Sequence, residues 1–292
     1  MRKITAKAYA KINLSLDITG VRDDGYHLLH TVMQSISLHD TLTFEKCEEP
    51  GIVITCDKDG IPCDERNIVH KAYVALFTAY GKFPDEGVKI DLHKEIPSSA
   101  GLGGGSADGA ATLTALNELF DLGFKQRELI KIGSAVGADV PFCLCGGTIL
   151  CEGIGDKLTP LIPLINFRAI VIKTDSDSST SDAYKRFDSM HIHTSFNHER
   201  VLDAIAQGRI RKLGRSIYNV LEFITHRSVI DEAKNALLDN KAVAAQMTGS
   251  GSAVFGLYKS KRTAEAAYKN IKDRFAFCEI CEPVSYGVSL DD

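Results

Sequence analysis

No stretch of this sequence stays apolar for the roughly 20 residues that a helix crossing a bilayer needs. No internal repeat or low-complexity tract is visible, which excludes solenoid and fibrous architectures. Proline is scarce, 8 of 292 residues against 24 glycines, so nothing suggests a proline-rich disordered segment. Neither sign of charge dominates. The formal net charge of −4 gives no electrostatic footprint for nucleic acid. The one short basic run, GRIRKLGR (Gly208–Arg215), reads as a solvated helix face. Eight cysteines are too few for a disulfide scaffold of this length. Cys278 and Cys281 have C-x-x-C spacing, but no second ligand pair stands at similar spacing, so they read as buried free thiols. His191, His193 and His198 in HIHTSFNH read as a surface loop rather than a metal site. The opening MRKITAKAYAKINL lacks a long apolar h-region and a small-residue cleavage site, and a cytoplasmic location is expected.

What is present suits a globular α+β protein, long enough for two domains of ordinary size. In KINLSLDI, Ile12, Leu14, Leu16 and Ile18 alternate with polar partners, the period of a half-buried strand. A turn follows at Asp24-Gly25, then strand candidates TVMQSISL, DTLTFEKC and GIVITC. Asn67 is a suitable N-cap for a helix over Asn67–Thr78. VKIDLHKEI reads as a strand. Helices are expected from about Ser106 to Phe120 and over QRELIKIGSAVG, and FCLCGGTILC reads as an apolar strand pair. Gly, Pro and Asn crowd GIGDKLTPLIPLIN, which predicts a division into residues 1–156 and 157–292. Beyond it lie the strand FRAIVIKT, helices near Asp182–Phe187, Glu199–Gln207 and Val229–Asn240, the turn and strand MTGSGSAVFGLY, the helix RTAEAAYKNIKDRF and closing strands in CEICEPVSYGVSL.

Three places carry chemistry. The first is PSSAGLGGGSADGAA, with four glycines within five residues ahead of a helical pattern. It is neither a dinucleotide fingerprint, because Ser106 stands where a glycine would be needed, nor a Walker A loop, because no G-K-[ST] closes it. The physical logic is shared, however. Glycines let backbone approach a ligand, and a helix start offers unpaired N–H groups and a positive dipole end to phosphate. The hydroxyls of Ser98, Ser99 and Ser106 add further donors. The second place is the start of the chain, where Lys11 and Asn13, two apart on a strand, project to one face. Alone, such a lysine is more often a solvated edge residue, and Tyr26-His27 after the turn is weak alone. The third is GADVPFCLCGG, whose Asp139 is either a capping residue or a partly desolvated functional carboxylate.

Together and in order, A-K-I-N-L, the glycine stretch, G-A-D-V-P-F and M-T-G-S-G-S-A-V-F-G resemble the GHMP kinase superfamily over nearly the whole chain. AYAKINLSLDITGVRDDGYHLL, GLGGGSADGAA and GADVPFCLCGG look like its branch acting on diphosphocytidyl-methylerythritol. The resemblance implies a two-domain fold with the active site in the cleft between an N-terminal ATP-binding domain and a C-terminal domain. It implies phosphoryl transfer from ATP, with Mg2+, to a hydroxyl of a small molecule carrying a cytidine diphosphate group. Asp139 would be the general base and Lys11 its neighbour, offsetting developing negative charge. Pro97, Ser98, Ser99, Ala100, Gly101, Leu102, Gly103, Gly104, Gly105, Ser106 and Ala107 would wrap the phosphates. Tyr26 would stack on cytosine, His27 would bond its edge, and Tyr184, from SSTSDAY, would be the second stacking aromatic. Asn13 would contact the substrate, and Thr248 and Gly249 would return to the site. One departure stands out. KTDSDSSTSD is acidic and lacks proline where that branch approaches its Ser-Thr pair through an apolar, proline-containing segment.

Overall fold

The computed structural model describes residues 2–176, 179–190, 196–225 and 228–291. The chain opens with a long antiparallel hairpin, β1 (Lys3–Val21) and β2 (His27–Cys47), turning at Gly25, whose φ is +86°. The two strands expected over TVMQSISL and DTLTFEKC are one strand, because nothing between them forces a turn. The expected alternation along β1 is only half of the observation. Ile12, Leu14, Leu16 and Ile18 are buried, but so are Lys11, Asn13, Ser15 and Asp17. β1 is covered on both faces, and its polar face looks into the protein. Register shifts between Tyr9 and Lys11 and between Asn13 and Ser15 re-aim that face locally.

β3 (Ile52–Cys56) lies parallel to β4 (Gly87–His93), which pairs with β2. Between them runs α1 (Ile68–Tyr80). The Asn67 side chain accepts from the Val69 amide at 2.9 Å, and Gly81 ends the helix at φ +86°. α2 (Gly104–Leu119) and α3 (Gln126–Val136) pack over the sheet. The first half of FCLCGGTILC is not a strand. It forms the short helix α4 (Val140–Cys145), because Pro141 in the first turn fixes a helical φ and Gly146, at φ +66°, stops it. Only the second half is extended, as β5 (Thr148–Gly153), followed by β6 (Lys157–Pro160).

The rest of the chain builds a second sheet from β7 (Arg168–Lys173), with α5 (Thr180–Met190), α6 (His198–Ala206) and α7 (Ile210–Gly214) after it. The basic run falls on α7, which buries Ile210 and Leu213 and turns its charges outward. A two-residue strand, β8 (Tyr218–Asn219), runs parallel to β1. Then come α8 (Val220–Thr225), α9 (Ser228–Asp239), β9 (Ala244–Met247), β10 (Ala253–Tyr258), α10 (Lys261–Ile271), β11 (Phe277–Cys281) and β12 (Val288–Asp291). The second sheet has the order β11-β7-β10-β9. β12 leaves it and pairs antiparallel with β1, Thr5 opposite Asp291 and Ala8 opposite Val288.

The mixture is α+β. One apolar cluster fills the first sheet and α1–α4, and another lies between the second sheet and α8–α10. A third joins Ile12, Leu14 and Val32 of the hairpin to Val171 and Phe255 of the second sheet, so the two sheets share core. His191 and His193 lie outside the described residues. His198 is not a solvated loop residue: it begins α6, and its Nε2 is 3.3 Å from the buried Asp17 carboxylate. Cys281 is buried and Cys278 half-buried, and burial pushes the Cys278 thiol up to about 12.

Candidate active site

The glycine stretch occupies the link from β4 to α2. The helix begins at Gly104, two residues before the expected Ser106, with Gly103 at its N-cap in a left-handed conformation, φ +73°. The first intrahelical bond is Ala107 N to Gly103 O, so the amides of Gly104, Gly105 and Ser106 lack helical acceptors. No side chain caps this end. Gly101 is also left-handed, φ +76°, and a Cβ there would lie 2.2 Å from Thr248 O. Backbone bonds hold the loop on both sides: Lys11 N donates to Leu102 O at 2.9 Å, and Ala253 N donates to Ala100 O at 3.0 Å. The loop therefore crosses between the two sheets with little freedom.

It walls a cavity of about 590 Å³. Pro97 to Ser106 all line this cavity, as do Lys11, Asn13, Asp139, Tyr184 and Gly249. Ala107 and Thr248 do not; both are buried behind it. Lys11 Nζ is 2.8 Å from Asn13 Oδ1 and 3.4 Å from Asp139 Oδ2. Its side chain is only 5% exposed, against 29% for that of Asp139. Such a buried ammonium requires its partners. Asp139 sits at the N-cap of α4, yet its carboxylate makes no capping bond and faces the cavity instead. Asn13 is fixed from three sides. Its amide N donates to Thr248 Oγ1 at 3.0 Å, its Nδ2 donates to Thr31 Oγ1 at 2.9 Å, and its Oδ1 takes the lysine. The result is one cation beside one reachable carboxylate, in a pocket that also presents free helix-start amides.

Toward α5, the His27 and Tyr184 rings stack at 4.6 Å with 27° between planes, and His27 Nε2 contacts Asp188 Oδ1 at 2.7 Å. Of the three aromatic residues only Tyr184 lines the cavity; His27 stands behind it, and Tyr26, 62% exposed on the hairpin turn, is apart from both. At the other end, Ile61, Pro62, Ile68 and Ile96 form apolar walls beside Arg66 and Asn67.

Several functional candidates escape the sequence reading. Lys94 and Asp108 also line the cavity, and Lys94 lies between the carboxylates of Asp40 and Asp108. KEI reads as the end of a strand, and Asp108 as one polar residue in an alanine-rich helix, so only its charge among small neighbours marks it. Thr180 lines the cavity within the atypical KTDSDSSTSD segment, two residues of which lie outside the described set. Asn219 is fully buried. It donates to Met247 O at 2.9 Å and Gly249 O at 2.8 Å, and accepts from Leu221 N at 3.0 Å. It shapes the late glycine turn without touching the cavity. Asn219→Ala strands two buried carbonyls and one amide, so a loss of about 3 kcal/mol is expected in urea unfolding. An unchanged midpoint would show that water replaces the side chain.

Residues 67–147 match the family model for the GHMP kinases N terminal domain, and residues 201–276 match that for the GHMP kinases C terminal. The 4-diphosphocytidyl-2-C-methyl-D-erythritol kinase of Caldicellulosiruptor saccharolyticus is 44% identical over 269 residues, 91% of this chain and 92% of that protein. The kinase of the same name from Caldanaerobacter subterraneus subsp. tengcongensis is 40% identical over 292 residues, 99% of each. Among solved structures, a 4-(cytidine 5'-diphospho)-2C-methyl-D-erythritol kinase superposes with a TM-score of 0.80 at 30% identity, covering 96% of this chain and 98% of that one. A homoserine kinase from Cytophaga hutchinsonii shares the fold at 20% identity, with a TM-score of 0.76 and 100% and 98% coverage.

Proposed function

The chain belongs to the 4-diphosphocytidyl-2-C-methyl-D-erythritol kinase family of GHMP kinases, and from that premise we propose that it transfers the γ-phosphoryl of ATP to a hydroxyl of 4-diphosphocytidyl-2-C-methyl-D-erythritol. The observation that carries this reading is the Lys11–Asp139 pair, 3.4 Å apart, in the same cavity as the uncapped start of α2. The triphosphate lies along Pro97–Ser106, its oxygens taking the free amides at the helix start. The adenine lies between the apolar walls of Ile61, Pro62, Ile68 and Ile96. Asp139 orients the acceptor hydroxyl and takes its proton as the new oxygen–phosphorus bond forms and the bond to ADP breaks. Lys11 offsets the negative charge that develops there, and Asn13 holds Lys11 and the substrate in place.

ATP brings Mg2+ into this reading. Among the described residues no group of three or more His, Cys, Asp or Glu forms a metal cage. The fit is to a cation held by phosphate oxygens and water. Phosphate oxygens along the Pro97–Ser106 loop would hold the ion, and it would neutralise phosphate charge while Asp139 stays free for the hydroxyl proton. The proposal also keeps a division into an ATP-binding domain (1–156) and a C-terminal domain (157–292), and a cytoplasmic location. No helix among the described residues is long and apolar enough to cross a membrane.

ADP release in parallel with the cytidine-diphosphate substrate, mevalonate and homoserine tests the function. Turnover with the first alone is expected; turnover with another acceptor instead would sink the cytosine assignment. In that assignment Tyr184 stacks on the base, His27 bonds its edge, and Tyr26 closes from the hairpin turn as the other stacking ring. Tyr184→Ala should raise KM for the cytidine substrate about tenfold to a hundredfold, the worth of one stacked base, with KM for ATP little changed. An equal rise in both would mean that Tyr184 supports the cavity generally.

A further inference from the structure

The phosphate loop begins just after Lys94 and ends in the first turns of α2, where Asp108 stands. The side chains of those two residues meet, Lys94 Nζ donating to Asp108 Oδ2, so the loop is closed at its base. Asp40 of β2 completes the closure. Its carboxylate takes the Lys94 ammonium, and its Oδ1 also accepts from Glu95 N at 2.7 Å and Ile96 N at 2.8 Å. All three side chains are nearly inaccessible, at 7%, 0% and 4% for Lys94, Asp40 and Asp108. None belongs to the Lys11–Asp139 pair.

The charges of this cluster do not balance. One ammonium faces two carboxylates, and an uncompensated buried charge is costly. The partners show which acid bears the imbalance. Asp40 receives two backbone amides and the lysine, as a carboxylate should. Asp108 Oδ2 takes the lysine, and its Oδ1 is buried with no hydrogen-bond donor among the described residues. We propose that Lys94 and Asp108 are positioning residues that clamp the two ends of the phosphate loop through Asp40, and that the clamp binds triphosphate with Asp108 uncharged. An ionised Asp108 would put a second, unpaired negative charge in the wall that the triphosphate approaches. This inference rests on the assignment of the loop to ATP phosphates.

The titratable groups that face Asp108 are Lys94 at the end of β4, Asp40 on β2 and the buried Cys143 thiol on α4; Lys11 and Asp139 act on that same thiol from the cavity side. Burial, reinforced by Asp40 and opposed by Lys94, pushes the Asp108 carboxyl up to about 8. From the ordinary carboxylate range to that value, the native chain holds a proton that the unfolded chain has lost. The contribution of Asp108 to stability is thus largest at low pH and falls as pH rises through this window.

The experiment is calorimetric titration of ATP with Mg2+ into the full chain between pH 6 and 9, in two buffers of different ionisation enthalpy. The wild-type chain should take up a proton on binding near pH 8, and its affinity should fall above that pH. Asp108→Asn keeps the shape and a hydrogen-bond partner for Lys94 but cannot ionise, so proton uptake and the alkaline fall should both disappear. Asp108→Ala should weaken ATP about tenfold to a hundredfold at pH 7, with Asn restoring most of that loss. If Asp108→Asn retains the uptake and the alkaline fall, or loses as much affinity as Ala at pH 7, the clamp reading is overturned. A poorly folded Ala variant leaves the Asn comparison decisive. ATP binding without turnover of the cytidine substrate would count against the proposed function and leave this test intact.

Discussion

Asp139→Asn should lower kcat by about 10²–10⁴-fold, the usual worth of a positioned general base, while ATP still binds. The substitution keeps the side chain's shape, so the N-cap position of α4 and the chain path into Val140 should survive. It removes the group that receives the hydroxyl proton and the counter-charge 3.4 Å from Lys11 Nζ. Lys11→Met should cost about 10²–10³-fold by removing charge stabilisation, and it also leaves Asn13 Oδ1 without its lysine. The double variant should lose much less than the product of the two, because each residue acts through the other. Rapid-quench measurement of ADP formation, with ATP affinity measured separately, checks all three. A normal kcat for Asp139→Asn would remove the base from the mechanism. Lost ATP affinity would instead point to a structural role.

Gly101→Ala should be the most damaging single methyl in the loop. The left-handed conformation costs an alanine about 1–2 kcal/mol, and the added Cβ meets the Thr248 carbonyl at 2.2 Å. That neighbour is backbone, so relief requires the loop and the late glycine turn to move apart. A total near 4 kcal/mol is expected in unfolding, with kcat/KM down about a hundredfold in whatever folds, because the phosphates are displaced from the Lys11–Asp139 pair. Gly105→Ala is the contrasting case for stability, since its Cβ would meet only Ile68 Cγ2 at 3.8 Å. Urea unfolding of both variants separates a clash from a general intolerance of side chains here. Equal losses would discard the clash argument.

Much of the site was legible because it depends on local chemistry. The glycine run opens a helix, two residues earlier than expected, and Asn67 caps one, as the types of those residues announce. The α+β class followed from the sequence of strand and helix periods. Lys11 was harder. A lysine on an alternating strand has the pattern of an edge residue, and it is the distant glycine loop, with Gly103 against its side chain, and Asp139 that enclose it. The Lys94–Asp40–Asp108 cluster was illegible for the same reason, since its partners lie 14 and 54 positions from Lys94. FCLC was misread because its apolar residues fit either a buried strand or a buried helix, and Pro141 with Gly146 decided between them.

The pairing of β12 with β1 orders events in time. The hairpin of β1 and β2 is nearest-neighbour pairing and can form at once, but one edge of β1 stays open until residues near the other end of the chain arrive. Closing so large a loop adds little to the entropy cost beyond that of a moderate one, yet contacts this remote in sequence slow the search. Thr5 to Ala8 therefore lack this edge partner until Val288 to Asp291 arrive, and the β12 pairing is expected among the later steps of folding.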